Sequence, residues 1–252
     1  MASALGGFWS GFRALFGGLS RLSRLPKSYP FALVPTLVFA LLEGGFLVLS
    51  VRLVAPWVRS GLSSQSWLPN FGASALSWLA VLLASVAGWF VAALLTPALS
   101  APALERIVGM VEADLGAPAR EPLGVWREFW CGLRSSAFGL LLFVPPVVLL
   151  TLLELVLPPV ALVTTPLKLL LGALGIAWSL FDYPLTLRGV GAVERLGFLK
   201  AHAPSVLGFG CAFALTFWLP CCGIVLLPVG VAAATEHLIA LERRTPPRLN
   251  PG

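Results

Sequence analysis

The sequence predicts an all-α integral membrane protein, and three observations carry that reading. Hydrophobic residues make up 58% of the 252 residues and charged residues only 11%, where an ordinary soluble domain carries roughly 25%. The mean hydropathy is +0.92, which leaves too little polar surface to cover one or two soluble domains. The apolar residues gather into runs of helical length separated by short basic loops, the pattern of a chain whose solvent is lipid. Disorder, collagen and coiled coil fail on the same numbers, because Gly (25) and Pro (21) follow no strict period and charge is sparse.

Residues 1–28 predict an interfacial amphipathic helix. Phe8, Phe12, Leu15, Leu19 and Leu22 recur at steps of three or four, while Arg13, Gly17, Ser20, Arg24 and Lys27 mark a second face suited to anionic headgroups. They do not form a signal peptide, because no basic segment precedes an unbroken apolar core and Arg13 interrupts what would be one. A helix packed on protein is the alternative for this segment.

Residues 30–96 predict two transmembrane helices. The first runs from Pro30 to Leu53 and contains one charge, Glu43; the second runs from Ala73 to Leu95, introduced by Pro69, Asn70 and Gly72 and closed by Pro97. Residues 97–136 change character, with Glu105, Arg106, Glu112, Asp114, Arg120, Glu121, Arg127, Glu128 and Arg134. Two water-facing amphipathic helices fit: Leu104, Ile107, Val108, Val111 and Leu115 keep helical spacing, and Leu123, Trp126, Trp130 and Leu133 do so after Pro118 and Pro122.

Two apolar hairpins follow. The first, 137–181, turns at Pro158-Pro159 and is broken by Pro145-Pro146 in its first arm, leaving arms barely long enough to span. The second, 205–241, turns at Pro220-Cys221-Cys222-Gly223, with 14 apolar-arm residues before the turn (206 to 219) and 12 after it (224 to 235). Arms that short predict a hairpin that enters and leaves on one face, its turn shielded by protein or water. Residues 242–252 are a tail, and the whole chain reads as one membrane domain.

The net charge of +6 does not point to nucleic acid, because the basic residues lie in loops beside apolar runs, where they set orientation and meet anionic lipid. Fourteen Lys and Arg fall on one side of this topology and only Arg52 and Arg59 on the other, which places both termini in the cytoplasm. Cys131, Cys211, Cys221 and Cys222 form no metal-ligating pattern and read as reduced apolar residues. His202 and His237 are isolated in sequence, and no nucleophile, acid–base pair or metal set stands out, so neither an enzyme nor a cofactor is expected. Trp9, Trp57, Trp67, Trp126, Trp130 and Trp178 read as interfacial aromatics near segment ends.

Glu43, Glu154 and Lys168 lie inside apolar runs, where a charge is costly unless paired or hydrated. A structural Glu–Lys pair and a functional role are both open for them. Asp182 precedes Tyr183-Pro184, where the helix is expected to stop, and either caps backbone or pairs with Arg188. Lys27, Arg106, Arg134 and Arg188 are the cations nearest the expected membrane entrances; Arg offers a bidentate fork to an oxyanion, and Ser28 opens the first span beside Lys27. A solvated, orientation-setting role is the alternative for each cation.

In order along the chain, Pro97, Pro102, Glu105-Arg106, Phe181-Asp182-Tyr183-Pro184-Leu185, Arg188, Leu207-Gly208-Phe209-Gly210, Leu219-Pro220, Leu227-Pro228-Val229 and Ala233-Ala234-Thr235 resemble the CysZ sulfate transporters and the wider etoposide-induced protein 2.4 domain family. Pro26-Lys27-Ser28 stands where CysZ proteins tend to carry Gly-Leu-Arg, and Phe39 stands where they show an Asn. The resemblance implies two long transmembrane helices, hairpins that penetrate part of the bilayer, and a homo-oligomer. It also implies transport of a small inorganic anion, sulfate first, across a bacterial-type inner membrane, with Arg106 and Glu105 in the family-like segment. A membrane-organising scaffold of the same family is the rival expectation.

Overall fold

The computed structural model describes residues 2–62, 70–117, 125–217 and 222–244. Outside them lie several sequence features: Pro69 and Trp67, residues 118–124 with Arg120 and Glu121, the Leu219-Pro220-Cys221 part of the turn expected in the second hairpin, and residues 245–252 of the expected tail. Among the described residues the chain is helical and holds no strand.

In chain order the α-helices are α1 (Ala2–Arg24), α2 (Tyr29–Leu49), α3 (Ala55–Leu62), α4 (Asn70–Leu99), α5 (Ala101–Asp114), α6 (Val125–Val156), α7 (Ala161–Leu187), α8 (Ala192–Ala201), α9 (Ala203–Phe217), α10 (Cys222–Val225) and α11 (Leu227–Arg244). Four stretches are long and apolar enough to cross a membrane: Pro26–Gly61, Ser74–Leu99, Ala137–Val156 and Pro158–Leu187. The first joins α2 to α3 through a wider π turn at Ser50–Val54. Its 36 residues reach about 54 Å, well beyond roughly 30 Å of hydrocarbon.

Several prolines expected to break helices do not. Pro97 lies inside α4, Pro145 and Pro146 inside α6, and Pro184 inside α7. A proline removes one backbone bond, but in apolar surroundings ending the helix would orphan several more. The helix before Tyr183-Pro184 therefore continues to Leu187. Both arms of the first hairpin consequently reach spanning length, and the second amphipathic segment of the 97–136 region runs on without a break into α6.

The chain divides into two compact units. One comprises 33–102, in which α4 returns along α2: Phe39 meets Trp89 edge-on and Gly88 lies against Phe46. The other comprises 1–32 and 103–252. Its core joins Leu104, Ile107, Val108 and Val111 of α5 to Phe181 and Leu185 of α7, Phe209 and Phe213 of α9, and Val231 to Ala234 with Leu238 of α11. Trp178, expected at an interface, is instead buried beside Phe138 and Phe143.

Helix α1 packs along α9 and α11. A Cβ on Gly11 would stand 1.8 Å from the Ser205 carbonyl oxygen, and one on Gly208 would stand 2.0 Å from that of Phe8, so the two backbones touch where side chains are absent. Leu15 and Leu22, from the expected lipid-facing stripe, pack into the core instead. Leu19 of the same expected stripe remains exposed, as do Leu5, Trp9 and Phe16, together with Arg13 and Arg24. In the second hairpin α9 has 15 residues, about 22 Å, and meets α8 at a bend of 96°.

Candidate functional site

Helix α7 ends in a capped turn that places the first buried cation. Gly189 adopts φ +65°, a left-handed conformation in which a Cβ is strained. It allows the Val190 amide to bond the Leu185 carbonyl at 3.1 Å and the Gly189 amide to bond that of Thr186 at 2.9 Å. Arg188, the residue just before, turns its side chain inward, 3% exposed. Its guanidinium bonds Glu112 of α5 at 3.1 Å and also Glu242 of α11. Arg188 was expected to face an anion at the membrane entrance; instead it is buried between two acids, a cluster whose formal charge repels a further anion.

Asp182 pairs with Arg195, not with Arg188. Arg195 is 2% exposed and also donates from Nε to the Val190 carbonyl at 2.8 Å and from Nη2 to the Thr186 hydroxyl at 3.0 Å. This fork fixes α8 against the end of α7. On the neighbouring edge Arg21 of α1 bonds Asp114 at 2.6 Å and Glu236 at 2.9 Å. Hydrogen bonding to Glu236 raises its pKa above the ordinary guanidinium value, outweighing the lowering by partial burial, so it stays charged. Between these pairs, the Ser205 hydroxyl lies 2.6 Å from Nε2 of His237, whose ring stacks at 9° on Phe209.

The intramembrane charges behave differently. Lys168 Nζ lies 2.5 Å from Oε2 of Glu154, joining α7 to α6 across the first hairpin. The hydroxyls of Thr164 and Thr165 donate to Oε1 of the same carboxylate, the second at 3.3 Å. Glu43 takes no part in this pair: it lies on α2, in the other unit, and its buried Oε2 has no hydrogen-bond partner among the described residues.

The remaining expected residues lie apart from these clusters. Lys27, Arg106 and Arg134 are exposed, whereas Glu105 is half-buried and near enough to Tyr183 of α7, next to Asp182, for their electrostatics to couple. Ser28 is buried, and its hydroxyl donates to the Leu25 carbonyl at 2.6 Å in the short turn before α2, so it closes that turn instead of presenting a donor to solvent.

Sequence reasoning missed Glu112, Glu242, Arg195, the Ser205–His237 pair and the two threonines. A signal existed for Glu112, which falls at the i+4 position from Val108 on the apolar face of α5. Thr164 likewise stands at i−4 from Lys168 on one helix face. Glu242 carries no such signal, because its partner lies 54 residues away, and Arg195 pairs back to Asp182 on the preceding helix across a turn that no helical spacing encodes.

Helices of spanning length, charged pairs enclosed within them and basic helix ends define a polytopic membrane protein. The chain belongs to the family described as Sulfate transporter CysZ/Etoposide-induced protein 2.4, which matches residues 14–228. It is 26% identical over 209 residues to a protein of Pseudomonas syringae pv. tomato named Sulfate transporter CysZ, covering 81% of this chain and 82% of that one. Identically named proteins of Pseudomonas paraeruginosa and of Pseudomonas aeruginosa PAO1 are 34% and 33% identical over 100 residues. Those two matches span 40% of this chain and 40% of each relative.

Proposed function

We propose that the chain is an inner-membrane permease, or channel-like transporter, for a small oxyanion, with sulfate the first candidate. The observation that carries this reading is the Lys168–Glu154 pair: a cation held on a hairpin whose two arms each reach spanning length. Charges inside apolar helices are costly and are retained where an ion or proton passes. The relatives' name, Sulfate transporter CysZ, supports sulfate as the anion.

In this reading both termini are cytoplasmic, and the exposed cations Lys27, Arg106 and Arg134 draw anions to the entrance. The second hairpin enters and leaves on one face, since α9 alone falls short of the bilayer thickness. A single chain offers few helices around a path, so a homo-oligomer completes it. Arg188, Arg195 and Asp182 hold the bundle together beside that path.

A scaffold reading has its own support, because Arg21, Arg188 and Arg195 are all committed to internal acids. Radiolabelled sulfate uptake into proteoliposomes, with counterflow controls, separates the two. Saturable uptake is the permease result; none at any sulfate concentration is the scaffold result.

A further inference from the structure

Three donors on one face of α7 converge on a single carboxylate. Lys168 Nζ meets Oε2 of Glu154 at 2.5 Å, and the hydroxyls of Thr164 and Thr165 both point to Oε1. Thr164 is 3% exposed, the side chains of Lys168 and Glu154 are 22% and 18% exposed, and Thr165 is exposed, so the cluster is open on the Thr165 side. One ammonium and two hydroxyls aimed at paired oxygens bearing one delocalised charge are the donor set that a small free oxyanion requires. Here the oxyanion is supplied by the chain itself.

We infer that Lys168, Thr164 and Thr165 form an oxyanion subsite, and that Glu154 occupies it as an internal competitor of the transported anion. The inference deepens the permease reading and rests on it for the ligand's identity.

The cost of isolated charge supports exchange over vacancy. A lysine stripped of its anion inside an apolar hairpin is strongly disfavoured, so the cradle holds either the Glu154 carboxylate or an incoming anion. Glu154 is also placed to withdraw. It lies two residues before the end of α6 at Val156, next to the turn through Pro158–Val160. The 20-residue arm Ala137–Val156 spans about 30 Å, so a carboxylate displaced from Lys168 meets water beyond the turn without crossing hydrocarbon.

The other buried cations lack this arrangement. Arg188 already faces two acids, and the fork of Arg195 is filled by Asp182, Thr186 and the Val190 carbonyl. At Lys168 a single acid is the occupant, and the two remaining donors are neutral. Displacing that one acid frees Lys168 and Thr165 and lets the Thr164 hydroxyl, which also lies 3.1 Å from the Val160 carbonyl, turn to an incoming anion or to that carbonyl.

The test is equilibrium binding of radiolabelled sulfate to the purified full chain in lipid nanodiscs, with uptake measured on the same preparations in proteoliposomes. Glu154→Gln keeps the side chain's shape and removes the competing charge. It should tighten sulfate binding about tenfold or more, and at about 1.4 kcal/mol per decade that equals the low end of a charge-assisted hydrogen bond. Adding Lys168→Met should abolish the gain. Thr164→Val, made in the Glu154→Gln background where no acid competes for the hydroxyl, should weaken sulfate binding several-fold. Lys168→Met alone remains informative if Glu154→Gln yields no folded protein, because it should abolish wild-type sulfate binding.

Binding unmoved by Glu154→Gln, or a gain that survives Lys168→Met, overturns the subsite, as does binding unchanged by adding Thr164→Val to Glu154→Gln or by Lys168→Met alone. Tightened, Lys168-dependent binding without uptake by the wild type keeps the subsite and removes the permease reading. Saturable uptake with binding indifferent to all three substitutions does the reverse.

Discussion

Replacing Arg188 by methionine should strand Glu112 inside the bundle. The Glu112 side chain is 11% exposed, so it cannot regain the hydration that its pairing replaced, whereas Glu242 at 28% keeps partial access to water. Removing one partner of a buried ion pair costs about 3–5 kcal/mol, most of it the penalty for the uncompensated charge left behind. At about 2–4 °C per kcal/mol for a chain of this size, the melting temperature should fall by roughly 6–20 °C. The assay is thermal unfolding of purified protein in a fixed detergent, followed by tryptophan fluorescence and by loss of monodispersity. Adding Glu112→Gln to Arg188→Met should recover part of the loss, because it removes the stranded charge. Arg188→Lys should fall between, since an ammonium lacks the planar fork that spans two carboxylates. A melting temperature of Arg188→Met within a degree of wild type would refute the reasoning. So would Glu112→Gln alone raising stability while Arg188→Met abolishes sulfate uptake, because Arg188 would then serve the anion and not the bundle.

Gly208→Ala should push α1 away from α9, since its Cβ would lie 2.0 Å from the Phe8 carbonyl oxygen where about 3.4 Å is the ordinary limit; a loss of about 1–3 kcal/mol in detergent melts is expected, and a neutral result would show that α1 is not seated there. In the permease reading, Arg106→Ala should lower sulfate uptake more than Arg106→Lys, with membrane insertion unchanged, because the charge acts at an exposed entrance; uptake indifferent to both removes Arg106 from the path. Membrane-impermeant labelling of single-cysteine variants should reach position 61 from outside and position 194 only from inside; the reverse pattern would overturn the orientation drawn from the basic loops.

How far the fold could be read from the sequence depends on whether a feature is set locally. Apolar run length is local, so long helices cover the runs expected at 30–53 and 73–95, although the first extends to Pro26–Gly61 and the second on to Leu99. Proline is a local signal whose weight depends on the surroundings. In water Pro145-Pro146 or Pro184 would favour a helix end, but in apolar surroundings the neighbouring backbone groups have no better partner than the helix, and α6 and α7 continue. The amphipathic face of α1 misled for another reason: periodicity reveals an apolar stripe without saying what covers it. The glycines at positions 11 and 208 carried the missing information, because their value appears only when the two helices are brought together.

The same distinction governs the charged residues. Lys168, Glu154 and Glu43 stand out in sequence because each interrupts an apolar run, but which acid Lys168 meets is settled only when the hairpin turn brings α6 and α7 face to face and pairs it with Glu154. Arg188 and Arg195 look alike in sequence, both basic loop residues after an apolar run, yet they hold different acids. Arg195 reaches back 13 residues to Asp182 (195 − 182), while Arg188 joins Glu112 and Glu242, whose separations of 76 and 54 residues no local pattern encodes. A count of positive charges therefore orients the chain but cannot separate cations that meet an anion from those that hold helices together. Burial and the number of acids already in contact make that separation: Arg188 has two and Lys168 has one, together with two neutral hydroxyls that a second anion can use.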